Sequence, residues 1–292
     1  MKRYASRLRN FLFYSSLALL AACGGGSGGG SGTPTTVQGQ LIDSAVQGIS
    51  YSTATHSGRT DANGTFTYNQ GEMVSFHIGG IDIGLTQGQK ILTPVSLVNG
   101  AIDEMNESVT NIVRFLLTID NEPLNNDKIV ITDEIIIAAQ LMTINFMQTT
   151  SAFETDQSVL DAVSTLTQAT PTGPGLRTLV SSTTAQNHLN QTLHSLLAGN
   201  YSGTYSGANA GTWSVVVSGN GTITGSGYSN TDMVGFTISG SVNSAGSASF
   251  STGGVAGTAD FAGTINIATS TVSGIWNFSD HSGLGTFTGS RQ

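Results

Sequence analysis

Apolar and polar residues alternate along the first part of the chain, between residues 37 and 98. The segment VSFHI at residues 74–78 is typical, because every second side chain is apolar, which is the period of a half-buried β-strand. Four such segments, VQGQLID, GISYSTA, GTFTYN and EMVSFHIGG, are separated by turn signals, among them an Asn63–Gly64 step that suits a tight hairpin. We therefore expect residues 37–98 to form a small antiparallel β-sandwich.

Between residues 99 and 199 the apolar residues recur at helical spacing instead. This pattern predicts helices in NESVTNIVRFLLTID, DQSVLDAVSTLTQA and TTAQNHLNQTLHSLLAG. The third helix has a Thr183/Gln186 capping box at its start and a stop signal at Gly199. The segment KIVITDEIIIAAQLM suits either a strand or a helix that begins at Asp133, and we favour the helix.

Residues 200–292 contain eight short strand-like segments, at a spacing of about 8–12 residues and with no helical pattern between them. This predicts an antiparallel meander that forms an up-and-down barrel or a sandwich. One face collects the large apolar residues, which are Trp213, Val215, Val217, Ile223, Phe236, Ile238, Val242, Phe250, Phe261, Ile265, Ile267, Val272, Trp276, Phe278 and Phe287. The predicted fold class is therefore mainly β with a helical middle, an α+β chain of several domains.

The first 36 residues carry a different kind of signal. MKRYASRLRN is basic and FLFYSSLALL is almost wholly apolar, which is the order of a secretory signal peptide. The apolar run is too short to cross a bilayer, since a spanning helix needs about 20 residues. We expect a signal peptide over residues 1–22 and a flexible Gly/Ser linker over residues 23–36. Cys23, at the junction, is the only cysteine of the chain, so a disulfide is excluded.

The residues Leu20-Ala21-Ala22-Cys23 resemble the lipobox of bacterial lipoproteins. The resemblance implies that Cys23 becomes the mature N-terminus and carries covalent fatty acyl chains such as palmitate. Several acyl chains make attachment to a membrane stable, whereas a single chain is marginal. Gly24, rather than Asp, follows the cysteine, which in a Gram-negative host implies sorting to the outer membrane. The expected location is the cell envelope, with the protein lipid-anchored to the outer membrane on its periplasmic or its surface face.

Charge and composition narrow the class of partner. Four of the ten basic residues belong to the predicted signal peptide, so the mature chain has six basic and 18 acidic residues and a formal net charge of −12. Nucleic acid is therefore excluded as an expected partner. Only 10% of the residues are charged, and 38 are glycine, which is typical of an exported β-rich protein that owes its solubility to hydroxyl and amide groups.

Two further resemblances concern the folded parts. Thr60, Asp61, Gly64, Phe66 and Tyr68 occupy the places of the T-D-x-x-G-x-F-x-Y hairpin of carboxypeptidase-regulatory-like and transthyretin-like β-sandwiches. That resemblance implies a spacer or binding module that is not catalytic. The G-T-W and G-T-F hairpins of residues 200–292 resemble those of avidin-type and transferrin-binding-protein-type barrels.

An eight-stranded barrel is filled by its own side chains or holds one small ligand. The number of large apolar residues on the inner face favours a filled barrel. If the interior is hollow instead, Trp213 and Trp276 are the candidate ligand-binding residues.

Residues for catalysis or metal binding are sparse. Asp120, Glu122 and Asp127 lie in the oxygen-rich segment DNEPLNNDKIVI and are candidate calcium ligands, since hard cations prefer oxygen. The segment lacks the central Gly and the terminal Glu of an EF-hand, so we favour an ordinary polar loop and expect no cofactor. His188 and His194 are six residues apart on one predicted helix, about 120° apart around its axis, and cannot share a metal ion.

The leading functional hypothesis is a non-enzymatic outer-membrane lipoprotein with a binding or structural role in the bacterial envelope. Its expected partners are the membrane, through the lipid, and an envelope protein or a small molecule. The first alternative is a small-ligand-binding lipoprotein that uses the C-terminal barrel. The second is an envelope hydrolase, which requires a cleft where Ser, His and an acid converge. No H-E-x-x-H or Walker sequence is present, and we do not expect an enzyme.

Overall fold

Nine short strands form three small sheets in the first part of the structure. The computed structural model describes residues 35–124, 127–170, 173–254 and 258–292, so the predicted signal peptide, Cys23 and the linker up to residue 34 lie outside the described residues. The strands are β1 (Thr36–Leu41), β2 (Ala45–Gln47), β3 (Ser50–Ser52), β4 (Ser57–Arg59), β5 (Thr65–Asn69), β6 (Met73–Ile78), β7 (Ile81–Gln87), β8 (Ile91–Leu92) and β9 (Lys128–Val130).

The order of these strands differs in part from the predicted antiparallel sandwich. One sheet has the order β5-β1-β8, a second the order β4-β3-β6-β7, and a third consists of β2 and β9. The β1–β8 and β2–β9 pairs are parallel. The Asn63–Gly64 step does form a turn, but it joins β4 and β5, which lie in different sheets, so it is not the loop of a hairpin. Gly64 has φ +71°, and a Cβ atom there would lie 2.4 Å from the Leu41 carbonyl oxygen.

Five α-helices occupy the middle of the described chain, four of them where the sequence predicts or favours a helix, and α3 in addition. They are α1 (Glu107–Ile119), α2 (Asp133–Ala138), α3 (Thr150–Thr155), α4 (Gln157–Leu166) and α5 (Ser182–Leu197). The segment KIVITDEIIIAAQLM, which suits either a strand or a helix, forms both: strand β9 and then helix α2. The cap of α5 is Ser181, whose Oγ accepts a hydrogen bond from the Thr184 N–H at 3.1 Å, and not the predicted Thr183. Within the described part of the chain, none of the helices has both the length and the hydrophobicity needed to cross a bilayer.

The first hydrophobic core is shared by the small sheets and the helices. Its buried side chains come from strands, such as Phe76, and from helices, such as Phe115 and Leu189. Helix α1 is buried around most of its circumference, which is typical of a helix enclosed by other elements. A two-stranded sheet is at best marginally stable alone, and small sheets gain stability by packing against a helix. The sheets of residues 37–98 therefore complete their core with the helices. The domain boundaries at residues 98/99 and 199/200 stay predictions.

The last eight strands close into an antiparallel barrel, which confirms the predicted meander and selects the barrel over the sandwich. The strands are β10 (Gly199–Gly207), β11 (Gly211–Val217), β12 (Thr222–Ser229), β13 (Val234–Val242), β14 (Ser247–Gly253), β15 (Ala259–Asn266), β16 (Thr271–Phe278) and β17 (Leu284–Arg291). Each strand pairs with the next in the chain, and β17 pairs with β10, for example Tyr205 opposite Phe287.

The barrel interior is packed with aromatic rings. Phe261 stacks on Phe250 at a centroid distance of 4.8 Å, and Phe287 meets both of these rings edge-on at 5.4 Å. Glycines on neighbouring strands make room for the indoles. A Cβ atom at Gly289 would lie 2.4 Å from the Trp213 ring, and one at Gly285 would lie 2.5 Å from the Trp276 nitrogen. Glycine at these positions thus lets the backbone approach the indole rings closely.

Candidate functional site

The structure directs attention to the two-residue turn between β1 and β2. Ile42 and Ala45 form an isolated bridge that closes the turn around Asp43 and Ser44. The Ile42 N–H donates to the Leu92 carbonyl at 2.8 Å, and the Ala45 N–H donates to the Asp127 carbonyl at 3.2 Å. Because both sides of the turn are bonded to other segments, its conformation is fixed, with Ser44 in the left-handed region at φ +54°.

Asp43 is buried in this turn with its hydrogen-bonding capacity unused. Its exposed fraction is 0%, and neither carboxylate oxygen has a hydrogen-bond partner among the described residues. Buried polar groups in native proteins almost always find partners, so an unpaired one calls for an explanation. Burial raises the pKa of Asp43 to about 6, and this rise is partly opposed by His188.

His188 on helix α5 is the charge partner of Asp43. Its Nε2 atom lies 3.4 Å from Asp43 Oδ1 and 3.4 Å from the Asp43 backbone oxygen. Helix α5 lies over the turn because its apolar face, including Leu189 and Leu193, is buried in the first core. The imidazole is 25% exposed, in contrast to the fully buried carboxylate. A buried carboxyl group of raised pKa beside a partly exposed imidazole is typical of functional sites.

An open cleft of about 530 Å³ lies on the exposed side of this pair. Its lining residues come from the turn, from the segment before β9 and from helix α5, and they are Ile42, Ser44, Ala45, Asp127, His188, Gln191, Thr192, Ser195 and Leu196. None of these residues is Lys or Arg. The volume lies within the range of about 300–1,000 Å³ that small-molecule sites occupy. The arrangement can hold a polar ligand.

The two tryptophans predicted to bind a ligand are both buried in the barrel, with exposed fractions of 4% for Trp213 and 2% for Trp276. Trp276 lines a cavity of about 30 Å³ together with other aromatic residues, and the lining does not include Trp213. A cavity of this size has room for water, but it is about a tenth of the smallest typical ligand pocket. The ligand-binding role of the tryptophans stays a prediction.

The three calcium candidates have separate environments. Asp120 is buried, and its Oδ1 accepts hydrogen bonds from the Glu122 N–H at 3.0 Å and the Val130 N–H at 2.8 Å. The Glu122 carboxylate lies 3.3 Å from the Lys128 ammonium, and Asp127 lines the cleft beside His188. Across the described ranges, no group of three or more His, Cys, Asp or Glu side chains is arranged to hold a metal ion.

Sequence reasoning missed Asp43 and assigned His188 no more than a place on a helix. Asp43 ends the segment VQGQLID, where it resembles any strand-terminal acid. Its partner lies 145 residues further along the chain, and no motif with a known spacing links the two. The turn signal at Asp43–Ser44 was available, but a turn predicts an exposed aspartate, whereas this one is enclosed.

Comparison with known proteins adds no family to this description. A scan against protein-family models finds no match for the chain, and a search of curated proteins finds none either. The features that bear on function are the cleft, the Asp43–His188 pair and the N-terminal sequence.

Proposed function

We propose that the protein is a lipid-anchored, non-enzymatic binding protein of the bacterial outer membrane, with the cleft beside His188 as its binding surface. The observation that supports a binding role is Asp43, a fully buried carboxylate whose oxygens have no hydrogen-bond partner among the described residues, positioned behind the wall of an open cleft. Burial of a carboxylate whose oxygens accept no hydrogen bond lowers stability. The buried carboxylate of Asp43 has an explanation if the cleft binds a ligand that interacts with Asp43 and His188.

The lipid anchor is supported by the N-terminal sequence. An apolar run, two alanines and Cys23 are followed by a glycine-serine string, which is the arrangement expected when the cysteine is acylated and the folded part is tethered at a distance. The proposed partners are therefore the membrane, through the acyl chains, and a small molecule or envelope component in the cleft.

Mass spectrometry of the mature protein from the membrane fraction tests the anchor. We expect an N-terminal peptide that begins at Cys23 and carries the added mass of fatty acyl chains. In the Cys23→Ser variant we expect the protein to leave the membrane fraction, because the sulfur is the attachment atom. The Ser27→Cys/Cys23→Ser double variant is the matched control, and it should remain unacylated. An unmodified Cys23, or a Cys23→Ser protein that stays in the membrane, would contradict the proposal.

A second candidate function is hydrolysis, because Ser44 and His188 line the same cleft and Asp43 lies 3.4 Å behind the imidazole. A serine, a histidine and a buried acid are the groups of a hydrolytic triad. A fluorophosphonate probe distinguishes the two functions. If Ser44 is a nucleophile, its oxygen displaces fluoride from the probe, the proton passes to His188, and the Ser44→Ala variant is not labelled. We expect no labelling of the native protein, and the Ser195→Ala variant controls for reaction elsewhere in the cleft.

A further inference from the structure

The chain contains three Asn-Gly steps, at Asn63–Gly64, Asn99–Gly100 and Asn220–Gly221. At such a step the backbone nitrogen of the glycine can attack the side-chain amide carbon of the asparagine, because glycine has no side chain to obstruct the approach. The attack requires a glycine nitrogen that is not engaged in a hydrogen bond, and space around the two residues. The surroundings of each glycine therefore decide which of the three steps reacts in the folded protein.

Two of the three steps are held in place by the fold. The Gly64 N–H donates to the Asp61 carbonyl at 2.9 Å, and the Gly221 N–H donates to the Ser218 carbonyl at 2.9 Å. Both glycines are buried. The carboxamide of Asn220 is fixed as well, because its Oδ1 accepts a hydrogen bond from the Ser218 hydroxyl at 2.5 Å. Attack by either glycine nitrogen therefore requires the local structure to open first.

The step Asn99–Gly100 lies in an exposed turn that leaves its reacting groups unengaged. The Ala101 N–H donates to the Val98 carbonyl at 3.1 Å and closes a turn with Asn99 and Gly100 at its centre. Both central residues are exposed. Among the described residues, neither the Gly100 N–H nor the Asn99 carboxamide has a hydrogen-bond partner. Gly100 has φ +78°, and a Cβ atom built on it would meet no atom within 4 Å. The glycine nitrogen and the amide carbon that it attacks are thus both accessible to solvent.

We infer that Asn99 is a site of spontaneous deamidation in the folded protein, with water as the co-reactant. The Gly100 nitrogen gives its proton to solvent and forms a bond to Asn99 Cγ, the Cγ–Nδ2 bond breaks, and the Nδ2 group takes up a proton and leaves as ammonia. Water then opens the resulting cyclic imide. Cleavage of the new N–Cγ bond gives aspartate, whereas cleavage between the nitrogen and the backbone carbonyl carbon of residue 99 gives isoaspartate. The net reaction consumes water, releases ammonia and involves no oxidation.

The modification changes a second cleft, of about 350 Å³, which Asn99 helps to line. Among the described residues of this lining, Asp82 is the charged one, and most of the others are apolar, including Leu97 and Met147. Deamidation places a second carboxylate at this cleft, and isoaspartate also adds a carbon atom to the main chain of the turn. The modification is independent of the lipid anchor and of the cleft beside His188.

Peptide mapping by mass spectrometry tests this inference on the intact protein, incubated for increasing times in a mildly alkaline buffer. The measured quantity is the fraction of aspartate and isoaspartate at each of the three steps. We expect deamidation at Asn99 to be about tenfold or more faster than at Asn63 or Asn220, because a hydrogen bond and local opening oppose attack at the other two steps. Protein unfolded in urea is the matched control, and in it the three rates should approach one another.

Ion-exchange chromatography of the folded protein gives a second measurement, because each deamidation adds a negative charge. Asn99→Gln should slow the accumulation of acidic species strongly, since a longer side chain closes the imide ring less readily. Asn63→Gln is the matched control and should accumulate them as the native protein does. Equal rates at the three steps in the folded protein, or an acceleration of Asn99 by urea as large as that of Asn63 and Asn220, would show that the turn protects Asn99 and would overturn the inference. A melting curve of each variant verifies that it is folded.

Discussion

Replacing Trp276 with alanine is expected to lower the free energy of unfolding by about 3–5 kcal/mol, the usual cost of removing a large aromatic side chain from a core. The indole is 2% exposed and contacts three aromatic rings, those of Tyr205, Phe261 and Phe278, at centroid distances of 5.7, 6.1 and 5.2 Å. Its N–H donates to the Ser206 carbonyl at 3.1 Å. The substitution removes this packing and leaves the carbonyl without its side-chain donor.

Urea unfolding followed by circular dichroism measures this effect. The matched control is Ile275→Ala on the same strand, because the preceding side chain points to the outside of the barrel and is 64% exposed. We expect that control to change the free energy of unfolding by less than about 0.5 kcal/mol, as is usual for surface positions. A loss below about 1 kcal/mol for Trp276→Ala would indicate that the indole is not a packing element, and would favour its predicted role as a ligand contact.

The barrel was the part of the fold that sequence predicted best, because its information is local. In GTWSVVV, for example, large apolar residues stand at every second position, Trp213, Val215 and Val217, and the same period of two appears in the burial of β11. Each of the eight strands pairs with the next strand in the chain. The pairing of the first strand with the last is therefore the one long-range contact that the barrel requires. Closure itself joins β10 to β17, and periodicity alone does not distinguish a closed barrel from a sandwich.

The first half of the chain was harder to predict because its pairing is not local. Strand β2 pairs with β9, although helix α1 lies between them in the sequence. The residue pattern of neither strand indicates that the other is its partner. The short helix α3 (Thr150–Thr155) has a single buried residue, Phe153, which is too little for a periodic signal. The existence of helices α1, α4 and α5 was predictable from their apolar faces, whereas the cap of α5 was displaced by two residues.

The candidate site was beyond prediction from the sequence for a physical reason. Turn aspartates are usually solvated, and Asp61 is an ordinary example, with its Oδ1 accepting from the Asn63 and Thr65 N–H groups at 2.8 and 2.9 Å. Asp43 also occupies a turn, but helix α5 covers it, since Leu189 and Leu193 of that helix are buried in the first core. Burial of the carboxylate is therefore a tertiary effect, and no local property of residues 42–45 indicates it.

Replacing Asp43 with asparagine is expected to stabilise the folded protein at pH 8 by about 1–3 kcal/mol. Burial raises the pKa of Asp43 from 3.8 to about 6, so the folded state holds the carboxyl proton more tightly than the unfolded state does. The stability of the native protein therefore falls as pH rises from about 4 to about 6, and each unit of pKa difference corresponds to about 1.4 kcal/mol. Asparagine has nearly the same shape as aspartate and carries no charge. The substitution therefore removes the destabilisation that the ionised, buried carboxylate causes above pH 6.

Urea unfolding of the native protein and of Asp43→Asn at pH 4, 6 and 8 measures this effect. We expect the two curves to approach each other at pH 4, where the native carboxyl group is protonated in the folded state, and to separate as pH rises. Asp61→Asn is the control of opposite sign. Desolvation, the largest single effect, raises the pKa of Asp61, but the hydrogen bonds from Thr65 and Asn63 together lower it below its ordinary value, so this substitution should give no gain at pH 8. If Asp43→Asn is destabilising at pH 8, the carboxylate is paired in solution. If it is stabilising, the fold retains a destabilising charge behind the wall of the cleft.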